Sequence, residues 1–231
     1  MDKHTALLLD TVRHARAQMG TSVQTDWRFS LPVLSSHDVV LREVQRSDAA
    51  VLSNLLTAPE VTRFISAPPN SVDGFERFIA ASQRMRAAGE GACFAVTLKG
   101  CDTPIGIVQL RQIAPSEAEA GQIGGAMDTA EWGFAVGSLF WGTGVFEAAA
   151  ALMIEFAFDT VHVHRLEARC AVKNGRGTRA LEKVGARAEG VLRNAFVCHG
   201  ELLDQRLFAI VEEDWRAGRT RARAAHAERV H

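Results

Sequence analysis

The chain has 231 residues, 47% hydrophobic and 23% charged, with a formal net charge of -1. That length suits one well-buried core and the composition excludes wholesale disorder. Balanced charge supplies no global field for nucleic acid or an anionic membrane. Four cysteines without a C-x-x-C pair point to buried, reduced thiols in a cytoplasmic protein rather than a metal or redox centre. The apolar run from Ala6 to Leu9 is too short for a signal-peptide core. The run from Ala148 to Phe158, broken by Glu155, is too short to cross a membrane.

In chain order, Leu8, Val12, Ala15 and Met19 recur at helical spacing and predict an amphipathic helix over 1–20. Residues 21–36 read as a linker that docks through Trp27, Phe29, Leu31 and Val33. A strand is expected over 39–44, then a helix over 49–56 capped by Ser47 or Asp48 and ended near Pro59. A second helix over 72–88 stops at Gly89. Strands over 93–98 and 105–110 follow, and 115–129 is low in apolar residues and expected to be a mobile loop.

Further on come a strand over 131–136, a Gly-rich turn over 137–143 and a helix over 144–160. A strand over 166–172, a helix over 175–184 and strands over 191–198 and 205–211 complete the pattern. Alternating helices, hairpins and one strand–helix–strand unit describe a mixed α/β domain. It occupies 37–216, between an N-terminal segment, 1–36, and an Arg- and Ala-rich tail, 217–231, expected to pack poorly.

The segment carrying chemistry is Glu131-Trp132-Gly133-Phe134-Ala135-Val136, then Phe140-Trp141-Gly142-Thr143-Gly144. It sets a Gly-x-Gly turn between a strand and the start of a long helix. Glycines let a ligand approach the backbone, and the helix end adds roughly half a positive charge, so the turn suits a phosphate or pyrophosphate. Two glycines used only for a tight turn are the plainer alternative.

Trp141-Gly142-Thr143-Gly144-Val145-Phe146-Glu147-Ala148 resembles the acetyl-CoA signature of the GNAT superfamily of N-acetyltransferases. The stretch from Asn174 through Gly177 to Glu182-Lys183-Val184-Gly185-Ala186 resembles that family's Asn-containing helix. Glu189-Gly190-Val191-Leu192-Arg193 and His199-Gly200 to Asp204 resemble the last hairpin of its RimJ/RimL branch, which acetylates ribosomal-protein N-termini. The resemblance implies a largely antiparallel twisted sheet of about seven strands, flanked by helices and splayed between the fourth and fifth strands. It implies an enzyme moving acetyl from acetyl-CoA, with no metal, to a protein N-terminus or a small-molecule amine by direct transfer in a ternary complex. A non-catalytic acyl-CoA-binding module is the alternative. A homodimer is compatible with either.

Carried onto this chain, the resemblance gives the pyrophosphate to amides from Phe140 to Val145, across Trp141, Gly142, Thr143 and Gly144. Asn174 meets the pantetheine arm or its thioester end, and an amide near Phe134, Ala135 or Val136 polarises the thioester carbonyl. The chain departs from the pattern at Leu139, where the family usually has Gln or Arg, and at Gly177, where Ser is common. It has no tyrosine, and Leu181 stands where many relatives keep a Tyr acid.

Glu131 is the first candidate base for the acceptor amine, against a solvated strand-end carboxylate. Glu167 is the second, against simple pairing with Arg165 or Arg169. Trp132 and Phe134 are candidates to line the acceptor pocket, with core packing as the alternative, and residues 61–71 and 115–129 are expected to shape it. Cys170 is expected to be a buried thiol and the pair His162 and His164 to lack a third metal ligand.

Overall fold

A computed structural model describes residues 26–113 and 129–229, the side chains of 222–229 excepted. The helix expected over 1–20 and the loop expected over 115–128 lie outside the described residues.

One eight-stranded sheet runs in the order β1-β2-β3-β4-β5-β6-β8-β7. Its strands are β1 (Leu34–Ser35), β2 (Val39–Glu43), β3 (Gly91–Leu98), β4 (Cys101–Gln112), β5 (Thr129–Val136), β6 (Arg165–Ala171), β7 (Arg187–Cys198) and β8 (Glu201–Val211). Every neighbouring pair is antiparallel except β5 and β6. The eighth strand is β1, read above as linker; its two residues pair with Leu41 and Val40.

Helices α1 (Ala49–Leu56), α2 (Pro59–Thr62) and α3 (Val72–Ala88) fill the β2–β3 connection. Leu52, Leu56, Phe75 and Ile79 pack there against Cys93, Ala95 and Ile107 of the sheet. Helix α4 (Val145–Glu155) joins β5 to β6 and covers the opposite face, where Ala149, Ala150 and Met153 meet Phe94, Val108 and Trp132. Covered on both faces, β3 is buried at seven successive positions, hence its unbroken apolar run. Helix α3 starts where the Ser71 hydroxyl accepts the Gly74 N–H at 3.1 Å and ends at Gly89, φ 77°.

Three local expectations change. Asp48 does not cap α1 with its side chain; buried, its carboxylate takes both terminal nitrogens of Arg42 at 2.8 Å and the Gln45 N–H. The helix after the Gly turn gives way at Phe156 to a π turn, Phe156–Val161, closed by His162 with φ 64°. The tail expected over 217–231 is helical as far as Arg229, within α6 (Glu212–Arg229). Trp215 there packs on Phe158 with ring centroids 4.9 Å apart, and Arg219 bonds Asp159 at 2.8 Å.

The edge strand β7 has two register breaks against β8. At the second, four steps along β7 from Leu192 to Phe196 match two along β8 from Gln205 to Leu203. Asn194 sits in that bulge at φ 51°, its N–H bonded to Asp204 at 2.9 Å.

Candidate active site

Among the described residues, strands β5 and β6 pair in parallel at three positions: Thr129 with Arg165, Ala130 with Leu166 and Glu131 with Glu167. Strand β5 stays paired to β4 as far as Val136, and β6 to β8 as far as Ala171. The two half-sheets therefore part just beyond Glu131 and Glu167. The splay falls between the strands where the sequence resemblance put it, now the fifth and sixth because of β1. Backbone groups of Trp132–Val136 that face the gap have no strand partner in β6, and an unpaired strand edge offers amides to a ligand.

At the far end of β5 the chain turns through Ser138–Phe140 and Trp141 into Gly142 and Gly144, at φ 77° and 87°. A Cβ built on either glycine meets nothing within 4 Å, so the outer surface of the turn is open. Gly144 is the N-cap of α4, and the first intrahelical bond runs from Ala148 N to Gly144 O at 3.1 Å. The preceding N–H groups of Val145 and Phe146 are thus left to a ligand or water, while that of Glu147 meets its own carboxylate. Free amides, a helix N-terminus and an open face fit a diphosphate.

The other expected cofactor residues sort themselves around this turn. The Trp141 indole N–H donates to Val136 O at 2.9 Å, fastening the turn to the end of β5. The Thr143 hydroxyl donates to Phe140 O at 2.7 Å, leaving backbone as its main offer to an anion. Leu139 is 85% exposed and brings no polar atom. Phe134 packs on Phe146 of α4 at 4.2 Å between centroids, while Ala135 packs with the α1–α3 side.

Asn174 caps α5 (Gly175–Lys183), its Oδ1 accepting from Gly177 N at 2.9 Å. Gly177 is required there: a Cβ would fall 2.7 Å from both Cys170 Sγ and Asn174 Nδ2. Cys170 is buried, and burial raises its thiol pKa.

Side chains of parallel register partners lie on one face, so Glu131 and Glu167 stand side by side at the apex of the splay. Neither is a solvated strand-end group. Glu131, one-fifth exposed, accepts from Arg111 Nη2 at 2.6 Å and lies 3.9 Å from Arg169 Nε. Glu167 accepts from Arg165 Nε at 2.8 Å, the pairing weighed above as its plainer role. Arg165 also forks onto Glu189 at 2.5 and 3.0 Å, and that guanidinium holds the Glu189 carboxyl below the usual carboxylate range.

Trp132 does not line this face. It is 2% exposed, stacked 6.3 Å from Phe146 on the α4 side, and belongs to the core. From residues 61–71, Phe64 packs with Ala171, Cys198 and Leu203, and Cys198 Sγ lies 3.5 Å from Arg63 O and 3.6 Å from Ile65 O. The tip of the β7–β8 hairpin thereby meets the loop after α2, on the side of the sheet that carries Glu131. His162 and His164 are elsewhere, His164 being 3.0 Å from Glu212. Residues missed from sequence are Arg111, whose partner lies across a strand pair, and Arg176, whose guanidinium carbon stands 3.8 Å over the Trp141 ring.

A splayed parallel pair followed by an open glycine turn at a helix start forms a cleft suited to a phosphate-bearing ligand that reaches between two strands. The model of the acetyltransferase (GNAT) domain matches residues 38–187, and the chain belongs to that family of N-acetyltransferases. It is 25% identical over 186 residues to the N-acetyltransferase p20 of Bacillus licheniformis, covering 80% of this chain and 99% of that protein. It is 29% identical over 87 residues to the ribosomal protein uS5-alanine N-acetyltransferase of Escherichia coli, 38% of this chain and 45% of that enzyme. In fold it is similar to Mycobacterium smegmatis RimJ in complex with CoA-disulfide, with TM-score 0.66, 24% identity and coverage of 76% and 83%. No helix among the described residues is long and apolar enough to cross a membrane.

Proposed function

We propose that the chain moves an acetyl group from acetyl-CoA to a primary amine, with a protein N-terminus of the ribosomal-protein type as the acceptor. The observation that carries this reading is the open Gly142–Gly144 turn, set at the end of a strand whose edge is unpaired beyond Glu131. The matched solved structure of a RimJ with CoA-disulfide supports the same ligand in the same fold.

Acetyl-CoA supplies an activated acyl group. Amides of the turn and of the first turn of α4 hold its diphosphate, and a gap-facing amide of Phe134–Val136 hydrogen-bonds the thioester oxygen as negative charge grows there. The acceptor nitrogen must be uncharged to attack, and Glu131 is the carboxylate placed to take its proton, directly or through one water. The new N–C bond forms as the C–S bond breaks. The nitrogen sheds its second proton as the amide forms, and the departing thiolate takes one, with water relaying it; Leu181, 1% exposed, offers no acid for that transfer.

Two measurements test this. Calorimetry should show acetyl-CoA binding in the micromolar range, about 8 kcal/mol, and Gly144→Glu should abolish it by placing bulk and like charge on the open face. A folded Gly144→Glu protein with unaltered affinity removes the site. Thiol release from acetyl-CoA should then appear only with suitable amines, ribosomal-protein N-terminal peptides first. Tight binding without release for any amine would leave a binding module.

A further inference from the structure

The glycine turn lacks a cation where it would be expected. Leu139 is apolar and exposed, and the first turn of α4 carries an acid, Glu147. That carboxyl is held below the usual range by its own backbone N–H, and then by Lys183, whose ammonium lies 3.1 Å away. An incoming diphosphate thus meets a negative charge on the very helix that should attract it. Lys183 offsets that charge but is itself engaged by Glu147, so the pair adds no net positive charge for a phosphate.

Arg176, two residues beyond the cap of α5, is built for the task. Its guanidinium carbon lies 3.8 Å from the centroid of the Trp141 ring. That ring is itself pinned by the bond from its N–H to Val136 O. Trp141 directly precedes Gly142, so the stacked guanidinium sits beside the open turn. No carboxylate among the described residues forms a salt bridge with Arg176. A guanidinium held over an aromatic face by its carbon still presents N–H donors to solvent, in the fork that matches a phosphate. An exposed arginine otherwise gives up considerable side-chain freedom on binding, and stacking removes part of that cost beforehand.

We propose that Arg176, held on Trp141, is the phosphate-binding cation of this site and takes the part that Leu139 cannot play. The inference rests on the acetyl-CoA reading above. It also assigns Trp141 a second purpose: one edge ties the turn to β5 and one face carries the arginine.

The test is calorimetry of CoA and of dephospho-CoA, which lacks the 3′-phosphate, on the parent and on Arg176→Gln and Arg176→Lys. Arg176→Gln should weaken CoA about 10- to 100-fold, the range of a charge-assisted hydrogen bond or two, with the melting temperature of the ligand-free protein unchanged. Arg176→Lys, which keeps charge but loses the flat fork, should fall between. Equal loss for both ligands assigns the diphosphate; loss confined to CoA assigns the 3′-phosphate. Unchanged affinity for both ligands in a folded Arg176→Gln overturns the proposal while leaving the turn as the site. Failure of the parent to bind either ligand overturns the acetyl-CoA reading instead.

Discussion

Gly177 and Cys170 are packed so closely that a Cβ on the glycine would lie 2.7 Å from the cysteine sulfur. The first turn of α5 therefore rests on β6 with no space for a side chain. Gly177→Ser, the residue common in relatives, should cost about 1–3 kcal/mol through overpacking. Cys170→Ala in the same chain should recover part of that loss, because residues in contact do not add. Urea midpoints of the two single variants and the double variant decide it. Simple additivity would mean that α5 shifts freely and that the contact constrains nothing.

The two apex carboxylates make a matched pair for kinetics. Glu131→Gln should lower kcat by ~10²–10⁴ with acetyl-CoA affinity nearly unchanged, since Gln keeps the shape but takes no proton. Glu167→Gln should do less: both carboxylates are paired, but Arg111 beside Glu131 is 64% exposed and can swing away, whereas Arg165 beside Glu167 is 28% exposed and also tied to Glu189. The reverse order transfers the role to Glu167. If neither variant is slowed, bulk water takes the proton and the protein's share is positioning.

How legible was this site in the sequence? The glycine turn announces itself, because left-handed backbone at Gly142 and Gly144 is a demand that only a few residue types meet. The splay was reached through family resemblance, and only pairing shows that it begins just past Glu131. The charge network was not legible. Arg111 reaches Glu131 because β4 and β5 run antiparallel in one register, and a one-residue slip would send it to the other face. Periodicity likewise says that Trp132 and Glu131 point oppositely, but not which face holds the acceptor. The start of the C-terminal helix is legible from Trp215, an aromatic residue inside the expected domain that packs partly buried on Phe158.

Trp132 offers a test of the core. Its indole nitrogen is buried with no hydrogen-bond partner among the described residues. An unpaired buried donor costs about 1–3 kcal/mol, comparable to the transfer and cavity cost of trimming the ring. Trp132→Phe should accordingly change stability by less than about 1 kcal/mol, in contrast to the ~3–5 kcal/mol typical of removing a buried aromatic entirely. A loss above about 2 kcal/mol in chemical denaturation would mean that the N–H has a partner, such as an internal water.

The docking of α6 should be acid-sensitive. Arg216, and then His164, hold the Glu212 carboxyl below the usual carboxylate range. A carboxyl depressed in the folded state contributes stability above its unfolded pKa and loses it as pH falls through the folded value. The affected window therefore lies below about pH 4.5. Melting temperatures between about pH 6 and pH 3 should fall less steeply in Glu212→Gln than in the parent. Parallel curves would show that these pairs add nothing to stability.

The ends of the sheet have a consequence for behaviour in solution. A sheet that stops in a long, regular strand invites other chains to continue it. Here one edge strand has two residues, and the other is broken by bulges at Ala188–Gly190 and Leu192–Phe196. The second bulge separates the exposed valines Val191 and Val197, so they cannot form a single flat apolar ladder. Arg187, Glu189 and Arg193 scatter charge along the same strand. The kinks that spoil the regularity of β7 are also what deny it to amyloid-like or edge-to-edge growth.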